Sequence, residues 1–202
     1  MMRLLGTLLA LAAGLAFAQA QPADREALWK EVAEAEKKGL PKTAAAKLQL
    51  IYDSALKDGK HAEAIKALAK RITHDGAVQG NKPEEKITRL RAELDKTPAE
   101  AKPLLQTILG HWYWQYFRAN RYRFLQRTAT EQPLGDDFTT WDLPRLYREI
   151  DLHFTNALAD GRLKAIPTTD FGDLLTQPTL PENYRPTLYD FIAHEALGFY
   201  SS

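Results

Sequence analysis

The chain has 202 residues, 27 basic and 26 acidic side chains, and no cysteine. So even a balance excludes a general nucleic-acid binder, which carries a marked basic excess. The missing cysteine excludes a disulfide framework, a thiolate metal site and a thiol nucleophile, so a packed core must hold the fold.

Met1-Met2-Arg3 is a short basic start, Leu4 to Phe17 is an uncharged apolar run, and Ala18-Gln19-Ala20 has the small-x-small pattern of a signal peptidase site. The run is about fourteen residues, short of the roughly 20 that a membrane-spanning helix needs. Residues 1–20 are therefore read as a signal peptide. The chain is expected to be exported, to the periplasm, the cell surface or the medium, with no stable membrane insertion after cleavage. Removing that leader takes away Arg3 and no acid, leaving 26 side chains of each sign. Residues 21–202 are read as one all-helical domain, long enough for one sizeable core.

N-terminal hairpins are expected over about 22–95. From Pro22 to Lys38, Leu28, Trp29, Val32 and Ala35 recur at helical spacing; Gly39 stops the helix and Pro41 prevents its continuation. A second helix runs from Lys42 to Lys57, with Ala44, Ala45, Leu48, Ile51, Tyr52 and Ala55 inward, and Asp58-Gly59 closes it. A third spans His61 to Ile72 through Ile65, Leu68 and Ala69. Alanines on the facing sides of the last two resemble a tetratricopeptide-type hairpin, although no second copy of the period follows and a generic hairpin fits as well. His74 to Lys82 reads as a glycine-containing loop; it lacks the Gly-Lys-Ser/Thr ending of a phosphate loop. Pro83-Glu84-Glu85 starts a fourth helix with Ile87, Leu90 and Leu94 on a narrow apolar edge.

The long central helix is expected from about 98 to 127. Thr97, Pro98 and Glu100 look like a capped start. Leu105, Ile108, Leu109, Trp112, Tyr116 and Ala119 then follow one helical face, while Trp114 and Phe117 load another. A helix apolar on more than one side is buried between neighbours. After a loop, the C-terminal helices occupy about 142–200. Asp142 caps a helix through Leu146, Ile150, Phe154 and Ala157, and Thr168-Thr169-Asp170 caps a short turn from Phe171 to Leu175. A proline-rich connector with Pro178, Pro181 and Pro186 follows, then a last helix that Thr187 and Asp190 start. The fold class is all-α, a bundle or short solenoid of helical hairpins around one long helix.

The residues point to no catalytic constellation, cofactor site or metal site. No two of the five histidines stand three or four apart, and His194-Glu195 lacks the second histidine of a zinc protease motif. An exported hydrolase would need His111, His153 or His194 gathered with an acid in a cleft. Trp114, Arg118, Arg121, Arg123 and Arg127 are the candidate partner-binding residues, four cations interleaved with aromatic rings and no acid. Pairing of these arginines with Glu131, Asp136 or Asp137 is the competing expectation. Tyr52, Trp112, Trp114 and Tyr116 are candidate groove aromatics for a stand-alone peptide-binding protein, although their spacing is that of core residues.

Five strings carry a family resemblance: Trp29 with KKGLPKTA (Lys37 to Ala44), Ile51-Tyr52, HWYWQYFRANRYRF (His111 to Phe124), TTWDLPRL (Thr139 to Leu146) and RPTLYDFIAHEAL (Arg185 to Leu197). Together they resemble the helical N-terminal region of large exported bacterial proteins of the alpha-2-macroglobulin family, of the type abundant in Bacteroidetes. The resemblance implies a helical region between a signal peptide and a series of β-sandwich macroglobulin domains. That family traps proteases through a bait region and, in many members, a thioester formed from a cysteine and a glutamine. With no cysteine here, no such residue transfers. The expected role is a non-enzymatic scaffold or docking module whose partners are protein: the following macroglobulin domains, a protease or a peptide.

Overall fold

The structure is a computed structural model, and it describes residues 24–80, 82–127, 135–172, 174, 175 and 184–202. The leader, the loop around Glu131 and most of the proline-rich connector lie outside the described residues. Among the described residues, seven α-helices run in the order α1 (Arg25–Lys37), α2 (Pro41–Lys57), α3 (His61–Val78), α4 (Pro83–Ala92), α5 (Lys102–Leu125), α6 (Leu143–Leu158) and α7 (Leu188–Tyr200). Short 3-10 turns cover Phe138–Thr140, Gly161–Ala165 and Thr168–Phe171. The one extended pairing among the described residues is an isolated antiparallel bridge between Pro167 and Thr187. The fold is all-α, as the absence of two-residue alternation predicts.

The first three helices owe their geometry to two matching turns. Gly39 and Gly59 have φ of 66° and 68°, a left-handed conformation that glycine enters without a Cβ penalty. Each turn closes with two reversed hydrogen bonds, Gly39 N–H to Glu36 O and Leu40 N–H to Ala35 O, then Gly59 N–H to Leu56 O and Lys60 N–H to Ala55 O. This arrangement satisfies the last carbonyls of a helix and turns the chain back sharply. Helices α1, α2 and α3 consequently stack as antiparallel neighbours around Leu28, Val32, Leu48, Ile51 and Ala67.

Two expected boundaries are corrected. Helix α3 continues through Val78, so His74 to Val78 are helical and not loop. His74 is held there by Glu36 of α1, Nε2 to Oε1 at 2.8 Å, and Gly76 is buried. Tertiary contact outweighs the cost of about 1 kcal/mol that a mid-helix glycine carries. Helix α5 starts at Lys102, not at Thr97 or Pro98. The Thr97 hydroxyl donates to Glu93 O at 2.7 Å, closing the turn after α4 instead of capping α5. Pro103 sits in the first turn; a helix begun at Pro98 would drive its ring against the carbonyl four residues earlier. A third, smaller correction concerns Thr168 to Asp170, which form the 3-10 turn itself, with Pro167 ahead of them and no side-chain cap.

Helix α5 is buried almost all round between Leu104 and Phe117. Gly110 lets α6 approach: a Cβ built there would lie 2.9 Å from Phe154 Cδ1. Trp114 meets Phe199 of α7 edge-to-face at 5.5 Å, and Phe117 meets Tyr147 of α6 at 5.1 Å. Its last turn breaks regularity at Asn120 (φ −119°, ψ 17°), where the amide side chain donates to Tyr116 O at 2.9 Å. Beyond that point the helix projects one flank to solvent.

Candidate docking surface and adjoining cleft

The projecting end of α5 separates the five candidate residues into three groups. Trp114 is 6% exposed and stacks on Phe117 with centroids 5.6 Å apart, so the structure places it in the core and off any docking surface. Arg127 is a clamp. Its guanidinium donates to Thr139 O at 2.5 Å and Trp141 O at 2.6 Å and lies 4.8 Å over the Phe124 ring, fixing the 138–140 turn against the helix end. Burial, together with the like charge of Arg123, lowers its pKa. Arg123 is exposed and makes only a 3.4 Å contact to Thr139 O. Among the described residues, Arg123 and Arg127 thus pair with backbone carbonyls and not with Asp136 or Asp137, while Glu131 lies outside the described residues. Asp137 instead caps the 138–140 turn, accepting from Thr139 N–H at 3.0 Å.

Arg118 and Arg121 remain. Both are exposed, and Tyr122 beside them is 75% exposed and Leu125 55%. Residues 118, 121, 122 and 125 stand at i, i+3, i+4 and i+7, one face of a helix. That face carries two cations, an aromatic ring and an aliphatic side chain, and its opposite face is pinned by Phe124 in the core. The sequence pattern singles out the arginines with Tyr122 and Phe124 as interleaved rings, but not Leu125, which the same helical spacing brings onto this face.

A small cleft lies on the neighbouring flank, between α4 and the end of α5. Its volume is about 180 Å³, and Lys86, Trp112, Gln115, Tyr116, Asn120 and Leu174 line it. The Lys86 ammonium sits 4.6 Å from the centre of the Trp112 ring. Burial alone lowers the pKa of this lysine. The indole N–H of Trp112 points away to Leu174 O at 3.3 Å, leaving its face toward the amine. Trp112 and Tyr116 are 3% and 6% exposed, so each ring is mainly core and offers the cleft only an edge of its surface. Tyr52, the remaining groove candidate, is half-buried and has Arg71 6.0 Å over its ring.

The histidines lie elsewhere. His111 Nδ1 is 2.9 Å from Glu195 Oε2, buried between α5 and α7. His153 Nδ1 bonds Gln106 Oε1, and both rings are about 1% exposed, which shuts them off from a substrate. His194 is exposed. No cluster of three or more metal-ligating side chains occurs among the described residues, and among them no helix is long and apolar enough to cross a membrane. Comparison with protein-family models, curated proteins and solved structures returned no match.

Proposed function

We propose that this chain is a helical docking module of an exported protein, non-enzymatic, that holds a protein partner through the exposed face of the α5 end. The observation that carries this reading is the face formed by Arg118, Arg121, Tyr122 and Leu125. Two arginines without an ion pair among the described residues flank a tyrosine that is 75% exposed. Tyr and Arg are the residue types that anchor interfaces, and here a rigid helix presents them. The family resemblance supports the same reading, with β-sandwich macroglobulin domains as the partner nearest to hand and a protease or peptide as the other. Export follows from the leader pattern of residues 1–20.

A photo-crosslinking residue placed at Tyr122, in the cell that makes the protein, tests the reading. A discrete protein adduct is expected there, and none from the same residue placed at Leu197, which is 62% exposed on α7. Equal labelling from both positions, or no adduct from Tyr122, would refute it. Reading the gene past Ser202 then separates the two partner classes, because macroglobulin domains either follow or do not.

A further inference from the structure

The cleft beside α5 has the features of a charge receptor. At about 180 Å³ it falls below the roughly 300–1,000 Å³ of a drug-sized or cofactor pocket. It has room for about six waters at some 30 Å³ each, or for one side chain. The Lys86 cation gains from the indole face 4.6 Å away, but a ring does not neutralise a charge. No ion pair to Lys86 occurs among the described residues; the neighbouring Glu85 is taken by Arg89 at 3.3 Å. A lysine that merely lays its stem along an apolar surface keeps its ammonium in water. This one is partly dehydrated, since burial is what depresses its pKa. The amide nitrogens of Gln115 and Asn120 are committed to Glu195 and to Tyr116 O, so Lys86 is the cleft's own positive charge. Glu84 acts on the Tyr116 hydroxyl, helping burial to raise its pKa.

We propose that this cleft receives a glutamate or aspartate side chain of a partner peptide, with Lys86 as its counter-ion and Trp112 and Tyr116 as walls for its methylenes. The proposal rests on the docking reading for the protein nature of the ligand. Charge complementarity sets the sign: Lys86 has no counter-ion among the described residues, and Arg118, Arg121 and Arg123 on the adjoining turns are exposed cations that favour further acids nearby. A carboxylate in the cleft would form a charge-assisted hydrogen bond in a partly dehydrated site, stronger than a neutral one. A glutamine in its place would leave the ammonium dehydrated and unpaired.

The test uses short dye-labelled peptides carrying one glutamate or aspartate between apolar residues, their amide counterparts, and free glutarate, with binding read by fluorescence anisotropy. Acidic peptides should bind at least about tenfold more tightly than the amide versions. Lys86→Met should remove that difference, and Lys86→Arg should keep most of it. Bound peptide should also slow acetylation of Lys86 as read by mass spectrometry. Unchanged thermal melting of Lys86→Met excludes a folding defect. Equal affinity for acid and amide peptides, absence of binding by every acidic peptide, or indifference to Lys86→Met would overturn the proposal. Glutarate binding as tightly as the peptides would overturn its peptide part. Failure of the Tyr122 crosslink with Lys86-dependent peptide binding intact would remove the α5 face and leave the cleft standing.

Discussion

His153 shows how a polar side chain can be placed in this core. Its Nδ1 bonds Gln106 Oε1, while its Nε2 has no hydrogen-bond partner among the described residues, Glu149 Oε1 lying 3.6 Å away. Tyr113 stacks on the ring at 5.4 Å. Burial, with help from the Arg91 charge, drives its pKa from 6.5 down to about 3. The folded state thus holds this ring neutral while the unfolded chain protonates it near 6.5. Stability from His153 is therefore complete above pH 6.5 and is lost as pH falls from 6.5 toward 3, at no more than about 1.4 kcal/mol per pH unit. Urea denaturation across that window should show a shallower acid loss for His153→Gln than for the wild type, and parallel curves would refute the assignment. Gly110 makes a steric claim of the same kind. Alanine there gains about 1 kcal/mol in helix propensity, yet its methyl would meet the Phe154 ring at 2.9 and 3.0 Å. Phe154 is fully buried and has Phe199 5.7 Å from it, so it has little room to retreat. Overpacking costs about 1–3 kcal/mol, and Gly110→Ala should be net destabilising by chemical denaturation despite the better helix former.

At the scale of elements, the sequence was legible wherever a local hydrogen bond decides the geometry. Asp142 accepts from Arg145 N–H at 2.9 Å and begins α6 as its position implies. Thr187 and Asp190 close a reciprocal capping box, Asp190 N–H to Thr187 Oγ1 and Thr187 N–H to Asp190 Oδ2, both at 3.2 Å. Thr187→Ala should cost about 1 kcal/mol, measured as a lowered denaturant midpoint. A change of only a tenth or two would mean that the box adds nothing to α7, whose apolar face would then suffice. Legibility failed where two local signals compete or a distant partner decides. Thr97 and Pro98 look like a helix start, and only the clash rule at Pro103 moves the start to Lys102. The His74–Val78 stretch looks like a loop until Glu36 of α1 is known to reach His74. The Lys86 cleft had no periodic signature. It exists because Ile87 and Leu90 seat α4 against α5, which leaves Lys86, just before Ile87, beside Trp112.

Across the whole molecule, α3 is the joint. Its Ala67 belongs to the small cluster shared with α1 and α2, while Ile65, Leu68, Ala69 and Ile72 enter the large cluster built around α5. Helix α1 is held to the rest by the small cluster and by polar contacts that include a clasp at each of its ends. Arg25 Nε lies 2.9 Å from Glu63 Oε2 and Nη1 2.5 Å from Asp58 Oδ2. At the other end of α1, Glu36 Oε1 is 2.9 Å from Lys70 and 2.8 Å from His74. Burial pulls the Glu36 pKa up, but hydrogen bonds to Lys70 and His74 outweigh it and leave it lowered. Part-exposed pairs of this sort are worth about 1 kcal/mol at most, whereas truncating a fully buried leucine costs about 2–5 kcal/mol. The two kinds of contact should therefore fail differently. Arg25→Ala should raise amide exchange in α1 about fivefold, the factor that 1 kcal/mol sets, with α5 unchanged, because local opening does not require the large cluster to part. Leu68→Ala, at a fully buried position facing that cluster, should speed exchange of the slowest amides in α3 and α5 together. Joint acceleration of α1 and α5 by Arg25→Ala would show that the clasp and the α5 core form one cooperative unit, with α3 transmitting the loss rather than containing it.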